Sequence, residues 1–102
     1  MKKATKLLPL IHPGEILRED FMKPLAISIN RLARNLDVPP NRISAIVNGQ
    51  RAITADTALR LGAHFGVSSE LWLGLQVDYD MRVARRLHGD KIARKVRRLE
   101  AA

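Results

Sequence analysis

The feature that most constrains this chain is a pair of short helical patterns joined by a tight turn at Asp37-Val38. Ser28 is a typical helix cap, and apolar residues follow it at helical spacing. Two helices that cross at a steep angle need a small residue where they touch, and Ala33 supplies it. Asp37 tolerates the positive φ that a tight turn requires. The inward-facing residues would be Leu32, Leu36, Ile43, Ile46 and Val47. The pattern predicts a helix-turn-helix over residues 28–48.

The second of these helices, predicted from Pro39-Pro40 to Asn48-Gly49, has a largely polar outer face. Such a face reaches base edges in the major groove when it lies near the start of a recognition helix. Asparagine suits adenine, arginine suits guanine, and a small apolar side chain can meet the methyl group of thymine. The predicted base-reading residues are Pro40, Asn41, Arg42, Ser44 and Ala45. The predicted phosphate-binding residues are Ser28, Asn48, Gln50 and Arg51. The predicted partner is therefore double-stranded DNA.

The distribution of charge supports a polyanionic partner. The formal net charge is +8, and residues 81–102 carry eight basic side chains against two acidic ones. Three lysines lie within residues 1–6. Residues 28–51 hold four arginines and only one aspartate, within a middle region that is otherwise balanced. A basic segment of this kind is typical of a surface that faces nucleic acid.

Five helices and no strand are predicted, so the fold class is all-α. The first helix begins at His12-Pro13-Gly14-Glu15, where proline suits the first helical position and glutamate suits the positive end of the helix dipole. Thr54 is the predicted cap of the fourth helix and Gly66 its end. Ser68 or Ser69 caps the fifth. The run from His12 to Glu15 is thus interpreted as helix initiation rather than as an active site.

The fifth helix carries two apolar stripes, although a surface helix of a monomer needs only one. The first stripe consists of Leu71, Trp72, Leu75, Tyr79 and Val83. The second stripe consists of Leu73, Val77, Met81 and Ala84. One stripe can face the core, and in so small a protein the other can be covered by a second chain. We therefore predict a homodimer that uses the second stripe.

The chain is predicted to hold one folded domain between two basic ends. The N-terminal basic arm spans residues 1–11, the DNA-binding domain residues 12–87, and a basic C-terminal tail residues 88–102. A helix break is predicted at Gly89-Asp90, because glycine and aspartate commonly interrupt helices. With 102 residues, the chain is too short for a second domain of ordinary size.

Several runs in the sequence resemble a known family. The matching runs include His12-Pro-Gly-Glu, Val38-Pro39-Pro40-Asn41-Arg42-Ile43, Ile53-Thr-Ala-Asp-Thr-Ala and Leu71-Trp72-Leu73. The first and third of these are more specific than a generic helix-turn-helix pattern. They are similar to the short HigA-type antitoxins (VapI-like virulence-associated proteins) of the Xre/phage-repressor helix-turn-helix class, over about residues 12–84. The resemblance implies a five-helix lambda-repressor-like domain. It also implies a homodimer that neutralises an mRNA-cleaving toxin of the RelE/HigB-like class and represses its own operon at a palindromic operator.

Other functions remain open. A free-standing Xre-type transcription regulator would need the same DNA-reading helix and no toxin. An enzyme is disfavoured because His12, His64 and His88 are far apart in sequence and no glycine-rich phosphate loop is present. RNA binding by the tail is conceivable, but the exposed aromatic residues that single-strand readers use are missing there.

No metal site and no cofactor are predicted. The chain contains no cysteine, which excludes disulfides and thiolate ligands. The positively charged start resembles a signal peptide, but Pro9 and Pro13 interrupt the apolar run that follows. No apolar stretch is long enough to span a bilayer. The expected location is the cytoplasm.

Overall fold

The computed structural model describes residues 9–100 of the chain. Within them the fold is helical, with no strand. The elements are α1 (Pro13–Ile16), continued by a π-helical segment (Leu17–Met22), then α2 (Ile29–Leu36), α3 (Pro40–Val47), α4 (Ala55–Phe65) and α5 (Ser69–Lys95). These elements confirm the five predicted helices. Residues 1–8, which form most of the predicted N-terminal arm, lie outside the described residues.

The start of α1 follows the predicted initiation signal. His12 is the N-cap, and its Nδ1 atom accepts a hydrogen bond from the backbone N–H of Gly14 at 2.9 Å. Pro13 occupies the first turn, where a missing N–H costs nothing. Burial lowers the pKa of His12, while the carboxylate of Asp80 acts in the opposite direction. The lowered pKa favours the neutral imidazole, the form in which Nδ1 can accept this hydrogen bond.

The ends of α2 and α3 are fixed by local hydrogen bonds of the same kind. Asp37 has φ 58°, and the N–H of Val38 donates to the carbonyl of Ala33 at 3.0 Å. At the end of α3, Gly49 has φ 75° and the N–H of Gln50 donates to the carbonyl of Ala45 at 2.8 Å. Both are Schellman motifs, which satisfy carbonyls that a helix end leaves free. Asp37 therefore makes the turn that the sequence predicted for it.

The core lies where all five helices meet. Trp72 of α5 is fully buried and its ring packs against Phe21, with 4.9 Å between ring centroids. Phe21 also packs against Phe65 at 5.0 Å. The other buried apolar residues are Leu17, Met22, Leu32, Ala33, Leu36, Ile43, Ile46, Val47, Ile53, Ala58 and Leu61. These contacts hold the helix-turn-helix against α1, α4 and the first half of α5.

Two predictions about α5 are wrong. The helix runs without interruption from Ser69 to Lys95, so the predicted break at Gly89-Asp90 does not occur. A single glycine in an exposed helix costs only about 1 kcal/mol, and the good helix formers around it outweigh that cost. Leu71 does not face the core with Trp72 but is 43% exposed. Adjacent helical residues point about 100° apart, so the two cannot share a narrow stripe.

None of the helices formed by residues 9–100 has both the length and the apolar character that crossing a bilayer requires.

Candidate nucleic-acid interface

The N-termini of α2 and α3 form one open surface. A shallow groove between them is lined by Ser28, Ile29 and Asn30 from α2, and by Pro40, Asn41 and Ser44 from α3. Pro40 and Asn41 are exposed, while Ser44 and Ala45 are half-buried. The core packing of α3 is made mainly by Ile43, Ile46 and Val47 on its opposite face. The side chains that line the groove therefore contribute little to the core. The groove therefore brings together four of the residues predicted to contact DNA.

The C-terminal end of α3 is held from behind by α1 and its continuation. A Cβ atom added at Gly14 would overlap the carbonyl group of Ile46, so only glycine permits this close approach. Arg18 donates from Nη1 to the carbonyl oxygen of Val47 at 3.4 Å. From the sequence, Gly14 was assigned only to helix initiation. A contact to a residue 32 positions away leaves no signal in the local pattern.

Arg42 does not extend freely from the outer face of α3. Its Nη1 atom donates to Oδ2 of Asp56, the second residue of α4, at 3.0 Å. Only 25% of the Arg42 side chain is exposed, against 58% for Asp56. The same carboxylate accepts from Nε of Arg60 at 2.9 Å. Hydrogen bonds from Arg60, and then from Arg42, lower the pKa of Asp56.

Arg60 extends this network back to the turn of the helix-turn-helix. Its Nη1 atom donates to the carbonyl of Leu36 at 2.9 Å and to that of Asp37 at 3.2 Å. Neither Asp56 nor Arg60 was singled out from the sequence. They form an i, i+4 pair on α4, a spacing that predicts an ion pair within a helix but says nothing of a third partner.

The residues predicted to bind phosphates are all exposed. Ser28 caps α2, its Oγ accepting from the N–H of Arg31 at 3.1 Å, which leaves the hydroxyl proton free to donate. Asn48 ends α3, and its Nδ2 atom lies 3.4 Å from Oγ of Ser44. Gln50 and Arg51 follow in the loop between α3 and α4. Ser28 thus lies at the start of the helix-turn-helix, and the other three residues lie at its end.

The loop after α3 is tied to α5 by a buried glutamine. Oε1 of Gln76 accepts from the backbone N–H of Ile53 at 2.8 Å, and its Nε2 atom donates to Asp80 at 2.9 Å. Gln76 is 5% exposed, so these bonds satisfy a polar group within the core. Sequence reasoning missed this role. The one signal was a polar residue on the inward side of α5, between Trp72 and Tyr79.

The second apolar stripe of α5 is uncovered in the single chain. Val77 is 58% exposed and Met81 44% exposed, and Ala84 is exposed as well. Leu73, at the start of the stripe, is half-buried against the core. Val77, Met81 and Ala84 are thus the exposed part of the second stripe, and Leu73 is its partly buried end.

Among residues 9–100, no group of three or more His, Asp or Glu side chains is placed to hold a metal ion. His12 packs edge-on against Tyr79 and His64 against Phe65, with ring centroids 4.9 Å and 4.7 Å apart. His12 and His64 thus make ring contacts and belong to no cluster of ligands among the described residues.

Comparison with known proteins assigns the family. A helix-turn-helix family model matches residues 19–72, which include α2, α3 and α4. Virulence-associated protein I of Dichelobacter nodosus is 53% identical over 77 residues, 76% of this chain and 71% of that protein.

Solved structures agree with this assignment. A HigA-family addiction module antidote protein from Coxiella burnetii is 48% identical, with a TM-score of 0.85 over 90% of this chain and 100% of that one. The Pseudomonas aeruginosa antitoxin HigA, solved with the higBA promoter, is 40% identical and has a TM-score of 0.87 over the same shares. Both structures therefore share the fold over 90% of this chain. This chain belongs to the HigA-type antitoxins of the Xre-like helix-turn-helix class.

Proposed function

We propose that the chain binds an operator in double-stranded DNA as a homodimer, represses its own operon and neutralises an mRNA-cleaving toxin. The observation that carries the DNA-binding part is the groove between the N-termini of α2 and α3. It joins a helix N-terminus suited to a phosphate with polar side chains at the start of a recognition helix. A relative of the same fold has been solved with its promoter, which supports this interpretation.

Within the groove, base reading is assigned to the outer face of α3. Asn41 is exposed and can accept and donate at the N6/N7 edge of adenine. Pro40, Ser44 and Ala45 lie on the same face and suit apolar or single hydrogen-bond contacts. Phosphate binding is assigned to Ser28, Asn48, Gln50 and Arg51, because these exposed residues flank the reading helix on both sides.

The dimer is assigned to the second stripe of α5, formed by Leu73, Val77, Met81 and Ala84. Its exposed side chains form an apolar surface that a second copy can cover. Two copies related by a twofold axis present two recognition helices, which suits a palindromic operator. We propose the cytoplasm as the place where the chain binds its operator, because the DNA lies there.

The toxin partner is supported by the relatives rather than by a described surface. The antidote and antitoxin relatives carry that role in their names. The alternative is a free-standing Xre-type regulator, which would use the same groove and the same dimer. The neighbouring gene separates the two. A small open reading frame that arrests growth alone, but not when co-expressed with this chain, supports the antitoxin, and a harmless neighbour supports the regulator.

The DNA-binding part is tested with Asn41→Ala. The probe is a duplex from the region directly upstream of the gene, compared with a scrambled duplex of the same composition. The substitution should cost about 1–3 kcal/mol per half-site and blur discrimination at one base pair of each half-site. Asn35→Ala is the matched control, because Asn35 is exposed on α2 outside the groove. If Asn41→Ala lowers the affinity for both duplexes equally, α3 is not the helix that reads the DNA sequence.

A further inference from the structure

We propose that Arg42, Asp56 and Arg60 form a positioning network that sets the angle of the recognition helix, so that Arg42 acts through Asp56 rather than on a base. The inference rests on the proposed DNA-binding function and deepens it. It changes the role predicted for Arg42, whose residue type and place on α3 suggested guanine reading.

The network joins three elements. It begins at the carbonyls of Leu36 and Asp37, at the end of α2, which accept from Nη1 of Arg60. Arg60 holds Asp56 on α4 with two bonds, from Nε to Oδ2 at 2.9 Å and from Nη2 to Oδ1 at 3.4 Å. Asp56 in turn accepts from Arg42 on α3 at 3.0 Å. α3 is therefore bonded directly to the Asp56 carboxylate, and the end of α2 is linked to it through Arg60.

The geometry favours a positioning role for Arg42 over direct reading. The guanidinium is drawn towards α4, and the Arg42 side chain is the least exposed member of the network. Arg42 does not line the groove that Pro40, Asn41 and Ser44 share with α2. A base-reading side chain must be free to enter the major groove, whereas this one is held by a charge-assisted hydrogen bond.

Such a network matters because α2 and α3 are joined by only three residues, Asp37 to Pro39. A recognition site must be held within about 0.5 Å and 10–20° of its productive geometry. The buried face of α3 fixes its distance from the core, and the ion pair to α4 fixes its rotation at the N-terminal end. Exposed ion pairs contribute only about 0.2–1 kcal/mol each, so their removal changes orientation more than it changes folding.

The test is a double-mutant cycle of Arg42→Ala and Asp56→Asn, read as the ratio of affinities for the upstream and scrambled duplexes. The ratio cancels the general effect of changing the protein's charge. Each single variant should lower the ratio by about five- to tenfold, and the double variant should lower it no further, because both act through one interaction. The single variants should reduce discrimination at every position of the half-site that α3 contacts.

Asp78→Asn is the matched control, since it removes the same charge and breaks an exposed ion pair with Arg82 at 2.9 Å on α5. It should leave the ratio unchanged. Asp56→Glu keeps the charge at the start of α4 but displaces the carboxylate. It should lower the ratio without a loss of helix stability, so the test does not depend on Asp56→Asn folding well.

Two results overturn the inference. If Arg42→Ala removes discrimination at a single base pair while Asp56→Asn leaves it intact, Arg42 reads that base. If Asp56→Asn lowers the melting temperature but not the ratio, the network is merely structural. Failure of the proposed function looks different, because the unmodified chain would then show no preference for the upstream duplex.

Discussion

The two halves of α5 are chemically different although they form one helix. The proximal segment, residues 69–84, buries Trp72 and Gln76 and carries the exposed apolar stripe. The distal segment, residues 85–95, has no buried side chain, and five basic residues there stand against one acidic residue. The proximal segment thus packs on the domain, while the distal segment continues the helix with exposed and mostly basic side chains. Basic side chains on a segment without packed neighbours can attract DNA phosphates, but they do not by themselves select a sequence.

The largest expected difference between the two segments is in stability. Trp72→Ala should cost about 3–5 kcal/mol, because it empties a site packed against Phe21 and Phe65. Leu87→Ala removes a side chain that is 68% exposed and should change the free energy of unfolding by less than about 0.5 kcal/mol. Urea denaturation followed by circular dichroism measures both. Similar destabilisation by the two variants would mean that the distal segment is packed in solution.

An intermediate effect is expected on assembly. Val77→Glu with Met81→Glu should convert a dimer into a monomer, because charge replaces the apolar stripe, and sedimentation measures the change. The matched pair Leu87→Glu with Ile92→Glu places the same charges on the distal segment and should leave the dimer intact. Helical content should persist in both double variants. A dimer that survives at Val77 and Met81 but dissociates with the distal pair would place the interface on the distal segment.

The smallest expected effect concerns the basic residues near the end of the chain, Arg94, Lys95, Arg97 and Arg98. Changing them to Gln should weaken binding to upstream and scrambled duplexes alike, because exposed charges attract DNA without reading it. The slope of log K against log salt should flatten by about 0.9 for each DNA phosphate that the variant no longer neutralises. Titrations at two or more salt concentrations measure the slope. Weaker binding to the upstream duplex alone would give this end of the chain a part in sequence reading.

The parts of the fold that depend on near neighbours were predictable. Ser28, Thr54 and Ser68 cap their helices, and Gly66 ends α4 with φ 73°, as residue type and spacing indicated. The predicted helix break at Gly89 was wrong because the helix-breaking tendency of glycine was considered without the strong helix formers on both sides of it. Local patterns therefore located helix ends well but overestimated the effect of one glycine.

The parts that depend on distant neighbours were not predictable. Gly14 against Ile46, Gln76 against Ile53 and Asp56 against Arg42 each join residues on different elements. A helical pattern predicts which residues of a helix face inward, but not which residues of other elements they contact. For the candidate interface, the sequence predicted which residues share the outer face of α3, while the contact between Arg42 and Asp56 is seen only in the folded chain.

The manner in which α3 is anchored has a consequence for how such proteins can diversify. The helix is held by the backbone contact of Gly14 with Ile46, by the bond from Arg18 to Val47, by the ion pair of Arg42 with Asp56 and by the side chains on its inner face. The groove residues Pro40 and Asn41 take part in none of these contacts. Duplicated genes could therefore exchange groove residues and acquire separate operators while the scaffold stays the same. Cross-regulation between paralogues in one genome would then be governed by a few surface substitutions that leave folding untouched.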